Sequence, residues 1–182
     1  MLNKNVEKAL NEQINREMYS AYLYMAMSSS CTQKGLKGFA NWFMVQYHEE
    51  MLHAMKLYEY VHLHGGQVTF KALAQPPADF DSPLDMFKKT LEHERFITQS
   101  INELMEVAIK SKDHATQIFL QWYVTEQVEE ESNDNDIIGQ LTVVGKDAQG
   151  LLLLDRELGA RMTTVPTEFS KGIEAALKGP AA

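Results

Sequence analysis

Glu50 and His53 stand three residues apart in the stretch YHEEMLH, residues 47–53, on what reads as the buried face of a helix. From Phe39 the inward positions step through Phe43, Gln46, Glu50, His53, Leu57 and Tyr60, the 3-4 spacing of a packed seam. Desolvating a lone carboxylate is expensive, so an acid in such a seam must be protonated, paired or bound to a cation. The same anomaly recurs three times. Glu17 shares a stripe with Leu10, Ala21 and Tyr24. Glu94 shares one with Phe87, Leu91, Ile101 and Met105. Gln127 and Glu130 share one with Tyr123, Ile137 and Leu141. Each acid lies near the middle of its helical pattern, so all four belong to one level of one core. Like charges raise one another's pKa, so four carboxylates cannot share a dry site as free anions. Two divalent cations would neutralise them, with Glu50 bridging and His53 binding one. Carboxylate and imidazole donors without thiolates suit iron or manganese.

The set is asymmetric. A symmetric site would show Glu-x-x-His twice, but here the fourth helical pattern offers Gln127 and Glu130. One cation then has a histidine and the other has none, which predicts a weaker second site suited to a metal passing through. A second acidic layer adjoins the first: Glu49, Glu126 and Glu129 at the rim of the seam could form a third cation site, whereas Glu131 reads as solvated.

These side chains need long helices to hold them, and the chain supplies four patterns. They run from about Asn5 to Ser30, from Gly38 to His64, from Pro83 (with Ser82 as N-cap) to Lys110, and from Asp113 to Val144. Short polar turns join the first to the second and the third to the fourth, so each pair is antiparallel. Residues 66–82 could span about 55 Å when extended, more than the roughly 40 Å of a 27-residue helix. They predict a crossover that leaves helices two and three parallel. The expected fold is all-α: a four-helix bundle with one long crossover and a short fifth helix in DAQGLLLLDRELGARM. Its four leucines, Leu151–Leu154, predict burial between subunits. Residues 1–162 form the expected domain. Residues 163–182 form a tail with a weak helical pattern (Phe169, Ile173, Leu177) and no assigned chemistry.

Composition narrows the classes. The chain has 182 residues, 45% hydrophobic, with a net charge of -8, which disfavours nucleic acid as partner. Its single cysteine, Cys31, permits no intrachain disulfide and fits a reducing compartment. MLNKNVEKALNEQ has no apolar leader core, and LLLL is far too short to span a membrane. The expectation is a soluble cytoplasmic protein.

The motifs INREMYSAYLYMAM, YHEEMLHAMKLYEYV, LEHERFITQSINEL and FLQWYVTEQVEEE resemble those of the prokaryotic non-haem ferritins, over roughly residues 1–160. The resemblance implies a hollow octahedral shell of twenty-four subunits that oxidises Fe(II) with O2 or peroxide and stores the ferric mineral. It implies a first iron site of Glu17, Glu50 and His53. The second would be Glu50, Glu94 and Glu130 with Gln127 close by, and the third Glu49, Glu126, Glu129 and Glu130. Tyr24 matches a tyrosine beside the centre, Trp122 a packing aromatic, and the leucine run the helix at the four-fold axes.

There are departures. Gln117 and Leu120 stand where animal ferritins carry acidic three-fold channel residues. SNDND at 132–136 is polar where a bundle end is usually apolar. Met51 sits where bacterioferritins have a haem-ligating methionine, but the missing second Glu-x-x-His argues against haem. The alternatives are a haem-binding bacterioferritin-type store and a non-mineralising di-iron oxidase or peroxidase. A metal-free helical interaction protein leaves four buried glutamates unexplained.

Overall fold

A computed structural model describes residues 2–162; the predicted tail at 163–182 lies outside the described residues. Five helices follow one another: α1 (Lys4–Gln33), α2 (Lys37–Leu63), α3 (Pro83–Lys110), α4 (His114–Val144) and α5 (Ala148–Leu158). The predicted bounds hold to within three residues. Caps explain several of them. Asn3 accepts from Asn5 N–H at the start of α1, Ser82 from Asp85 N–H at α3, and Asp113 from Thr116 N–H at α4. No helix among the described residues is long and apolar enough to cross a membrane.

Paired contacts fix the topology. On α1 and α3, Gln13 meets Ser100, Ser20 meets His93, and Cys31 meets Met86, so the partners run in opposite directions. Ser28 donates to the Ala40 carbonyl across the α1–α2 pair. Both neighbours of α1 are thus antiparallel to it, and α2 and α3 are parallel to each other. The crossover is tied along α1. The Asn11 amide donates to the Gln67 carbonyl and accepts from Thr69 N–H, and Lys71 pairs with Glu12.

The core is divided in two. One apolar cluster holds Met27, Phe39, Trp42, Phe43, Met86 and Phe87; the other holds Val6, Leu10, Leu57, Tyr60, Ile97 and Leu120. The polar seam residues lie between them. Met105, expected inward, is half-buried, and Leu104 and Ala108 fill that part of α3 instead.

The fifth helix docks on the start of α2. Leu36, at the N-cap of α2, makes no side-chain cap bond. Asp155 of α5 takes over, its Oδ1 accepting from Gly38 N–H (2.9 Å) and Phe39 N–H (3.0 Å). This satisfies free amides and places a negative charge at the positive end of the helix. Leu154 and Leu158 are buried beneath it, Leu151 is half-buried, and Leu152 and Leu153 face outward. Only the outward pair needs a neighbouring surface.

Contact this close requires glycine. A Cβ on Gly38 would meet the Asp155 carbonyl oxygen at 1.5 Å, and one on Gly159 would meet Gly38 Cα at 3.2 Å. Gly38→Ala should therefore push α5 off the bundle and break the Asp155 cap. The expected cost is about 2 kcal/mol or more, read as a lower thermal midpoint and faster proteolysis around residue 155. An unchanged midpoint would mean that α5 is not held by this contact.

Candidate metal centre

Two helices bring the first candidate ligands together. Glu17 from α1 and Glu50 and His53 from α2 each offer one ligand atom, and these atoms lie within 4.8 Å of one another. All three side chains are buried. Glu50 Oε2 and His53 Nδ1 are 3.5 Å apart. Glu94 on α3 and Gln127 and Glu130 on α4 are buried at the same level. The six residues read from the seams are therefore all in the core between the two apolar clusters.

The supporting contacts set their orientation. Gln13 Nε2 donates to Glu17 Oε1 (2.8 Å), while Ser100 Oγ donates to Gln13 Oε1 (2.7 Å). Tyr24 Oη donates to Glu94 Oε1, and Gln127 Nε2 donates to Glu94 Oε2 at 3.0 Å. Gln127 thus holds a carboxylate through its amide nitrogen. Gln46 Nε2 does the same for Glu130 Oε2 at 2.9 Å. The His53 ring meets Trp122 and Tyr123 edge-on, at 5.2 and 5.9 Å between centroids. Gln13, Gln46 and Ser100 were not foreseen as ligand holders, although Gln46 was read as part of the α2 stripe.

Electrostatics show what the site lacks. Burial, reinforced by the Glu50 carboxylate, pushes Glu17 up to about 8. Burial and then Glu94 push Glu130 up to about 7. Glu50 is raised well above the usual carboxylate range by burial and by Glu94 and Glu130; Glu94 is raised by burial, although Tyr24 and Gln127 oppose the shift. Burial and Glu94 raise the Tyr24 hydroxyl, keeping it a donor. Glu17 Oε2 and Glu50 Oε2 are buried without a hydrogen-bond partner among the described residues. Buried acceptors are normally satisfied. A divalent cation between Glu17, Glu50 and His53 would satisfy both, and the donor set of oxygens and one imidazole fits iron or manganese.

The rim differs from the expectation. Glu49 is half-buried and paired with Arg161, whose Nη2 donates to its Oε2 at 2.7 Å. The guanidinium also stacks on Trp42, 4.7 Å from the ring centroid. Glu126 is half-buried and Glu129 exposed. A cation held by Glu49, Glu126 and Glu129 must therefore displace or coexist with Arg161. Glu131, expected in solvent, is half-buried; it accepts from Thr98 (2.7 Å) and lies 3.7 Å from Arg95. Thr98, Gln127 and Glu131 line a groove of about 330 Å³ between α3 and α4, which brings the surface to within one side chain of Glu94. Met51 is half-buried in an apolar groove with Met18, Met55 and Tyr58. Leu120, in the second apolar cluster, is fully buried.

A helical bundle with one long crossover and a buried layer of four carboxylates and a histidine is the arrangement that carboxylate-bridged di-metal bundles share. Comparison with known proteins identifies the lineage. The ferritin-like domain matches residues 7–144. Bacterial non-heme ferritin of Staphylococcus aureus is 44% identical over 161 residues, covering 88% of this chain and 97% of that protein. The Campylobacter jejuni bacterial non-heme ferritin is 46% identical over 156 residues, covering 86% of this chain and 93% of that protein. The open-pore ferritin of the archaeon Archaeoglobus fulgidus has 49% identity and a TM-score of 0.88, covering 89% of this chain and all of that one. The chain belongs to the ferritin family.

The raised carboxyls carry a stability prediction. Folded values of about 7 to 8 for Glu130 and Glu17 lie above the ordinary value of 4.5. Between those limits the folded protein binds more protons than the unfolded chain, so stability is full at low pH and falls as pH rises through the folded values. The thermal midpoint of metal-free protein should drop by roughly 10 °C between about pH 5 and pH 9, and a divalent cation should restore it most at the alkaline end. A flat profile with and without cation would remove the electrostatic account of this site.

Proposed function

We propose that this protein oxidises Fe(II) at the Glu17–Glu50–His53–Glu94–Glu130 centre and stores the ferric product in a cytoplasmic homo-oligomeric shell of twenty-four subunits. The observation that carries the reading is the buried layer of four carboxylates at one level, with two oxygens that nothing among the described residues satisfies. Membership of the ferritin family and the likeness to bacterial non-heme ferritins support it. The outward Leu152 and Leu153 of α5 suit a subunit contact.

Iron is here the substrate. Each Fe(II) gives up one electron, and O2 or hydrogen peroxide accepts them in pairs with the protons needed to balance the charge. The protein's part is to bind, orient and neutralise. Glu50 lies between the two groups of ligands and bridges them. Glu17 and His53 complete the first site; Glu94 and Glu130 complete the second. Tyr24 and Gln127 hold the two oxygens of Glu94, and Gln46 holds one of Glu130, so few carboxylate positions must be reorganised when iron enters. Carboxyls whose pKa is raised release protons as cations bind, which ties uptake to pH. A non-mineralising oxidase would use the same centre without the shell, and assembly size separates the two.

Two outcomes test the reading. Glu50→Ala should lower the initial rate of Fe(II) oxidation by more than about 100-fold while the assembly keeps its size. Stopped-flow absorbance on sized particles measures both, and an unchanged rate refutes Glu50 as the bridge. The lone histidine predicts unequal sites. Anaerobic Fe(II) titration should resolve a tighter site at Glu17, Glu50 and His53 and a weaker one at Glu50, Glu94 and Glu130. Gln127→His should tighten the weaker site by about tenfold and slow repeated turnover. Two equal sites that retain iron through many cycles would identify a permanent di-iron cofactor instead.

A further inference from the structure

One buried acid plays no part in this centre. Asp134 follows Glu130 by one turn of α4 and is 1% exposed, yet neither Oδ1 nor Oδ2 has a hydrogen-bond partner among the described residues. A second orphan stands nearby on the facing helix. Gln46 is fully buried, one turn before Glu50; its Nε2 is committed to Glu130 and its Oε1 has no partner.

The register of α2 and α4 puts the two orphans on the same side of the centre. Gln46 bonds Glu130, the His53 carbonyl accepts from Tyr123, and Tyr60 bonds Thr116. Each step of seven residues forward on α2 matches a step of seven back on α4. Moving from Glu50 to Gln46 and from Glu130 to Asp134 is therefore movement in one direction, toward the end where α5 docks. Continuing the register sets Asp134 opposite Trp42.

The groups that bear on Asp134 are Glu94 from α3, Glu130 and Glu131 from α4, and Arg161 beyond α5. Arg161 is the only cation among them, and its ion pair is with Glu49. Burial, then Glu94 and Glu130, push the Asp134 carboxyl up to about 9. Three unsatisfied oxygens, two from Asp134 and one from Gln46, beside the Glu130 carboxylate and with no sulfur or nitrogen donor in the set, form an environment for a hard cation.

We propose that Asp134, Glu130 and the Gln46 amide oxygen form an additional, oxygen-lined site for a hard divalent cation such as Fe(II) or Mn(II), one helical turn from the centre toward α5. It shares Glu130 with the centre, so the identity of the cation that reaches it rests on the iron reading. A cation there would sit between the oxidation centre and the Trp42–Arg161–Glu49 rim, as a staging position for metal moving between them.

Crystals of the assembled protein loaded anaerobically with Mn(II) test this by anomalous scattering. A peak within coordination distance of Asp134, separate from peaks at Glu17, Glu50 and His53, is the expected result. Peaks at the centre with none at Asp134 overturn this proposal alone; no peak at either overturns both readings. Anaerobic Fe(II) titration of Asp134→Asn supplies the second measurement. The variant should bind one Fe(II) fewer per subunit than the wild type. An unchanged count would show that Asp134 holds a proton or answers Arg161, and takes no metal.

Discussion

Four carboxylates in a dry core repel one another and have lost their water, and the rest of the structure is arranged around that constraint. Each buried charge costs several kcal/mol after relaxation, which is a large share of the stability of a domain. Burial and mutual repulsion raise the pKa of Glu17, Glu50, Glu94 and Glu130, and protons bound there moderate the cost. They do not remove the cost, because Glu17 Oε2 and Glu50 Oε2 remain unsatisfied. A protein folded this way is most comfortable when positive charge enters, and on the proposed function that preference is the driving force for iron uptake.

Such a site must be held rigidly without being satisfied. The two apolar clusters clamp the polar layer from either side. Between them, Gln13 and Gln46 each engage one oxygen of Glu17 and Glu130, while Tyr24 and Gln127 together hold both oxygens of Glu94. Tyr123 adds a bond to the His53 carbonyl at 2.7 Å, fixing the backbone behind the ring. Ligands carried mid-helix cannot drift as loop ligands do. The long crossover matters for the same reason. It returns the chain to the end where α2 began, so that α3 runs back along α1 in the register that sets Glu94 beside Tyr24.

The acids themselves were legible because a helix seam is periodic and a charge in it breaks the pattern. Glu17, Glu50, His53, Glu94, Gln127 and Glu130 all follow from that rule. Contacts between distant segments obey no local period, and these stayed hidden. Asp155 caps α2 from 117 residues away, and Arg161 reaches Glu49 across 112. Glu131 reads as solvated because its partners, Thr98 and Arg95, lie on another helix. Asp134 is a different kind of miss. The spacing from Glu130 to Ile137 passes through it, so the signal was present. The surrounding SNDND, polar on every face, masked the single position that turns inward.

Asymmetry gives the centre a direction. On one side stand His53, Trp122 and Tyr123, an aromatic wall behind the tighter proposed site. On the other, Glu130 leads to Asp134 and to a rim where Glu49 is already neutralised by Arg161. On the proposed function, a cation at Glu17, Glu50 and His53 would gain an imidazole, and one at Glu94 and Glu130 would have carboxylates alone and unsatisfied oxygens a turn away. Softer ligation gives way to harder along this line. Fe(III) is a harder ion than Fe(II) and gains more from oxygen donors. Oxidation at the centre would then tilt the free energy toward the oxygen-rich side, so that the change in charge itself moves the product out of the site that made it.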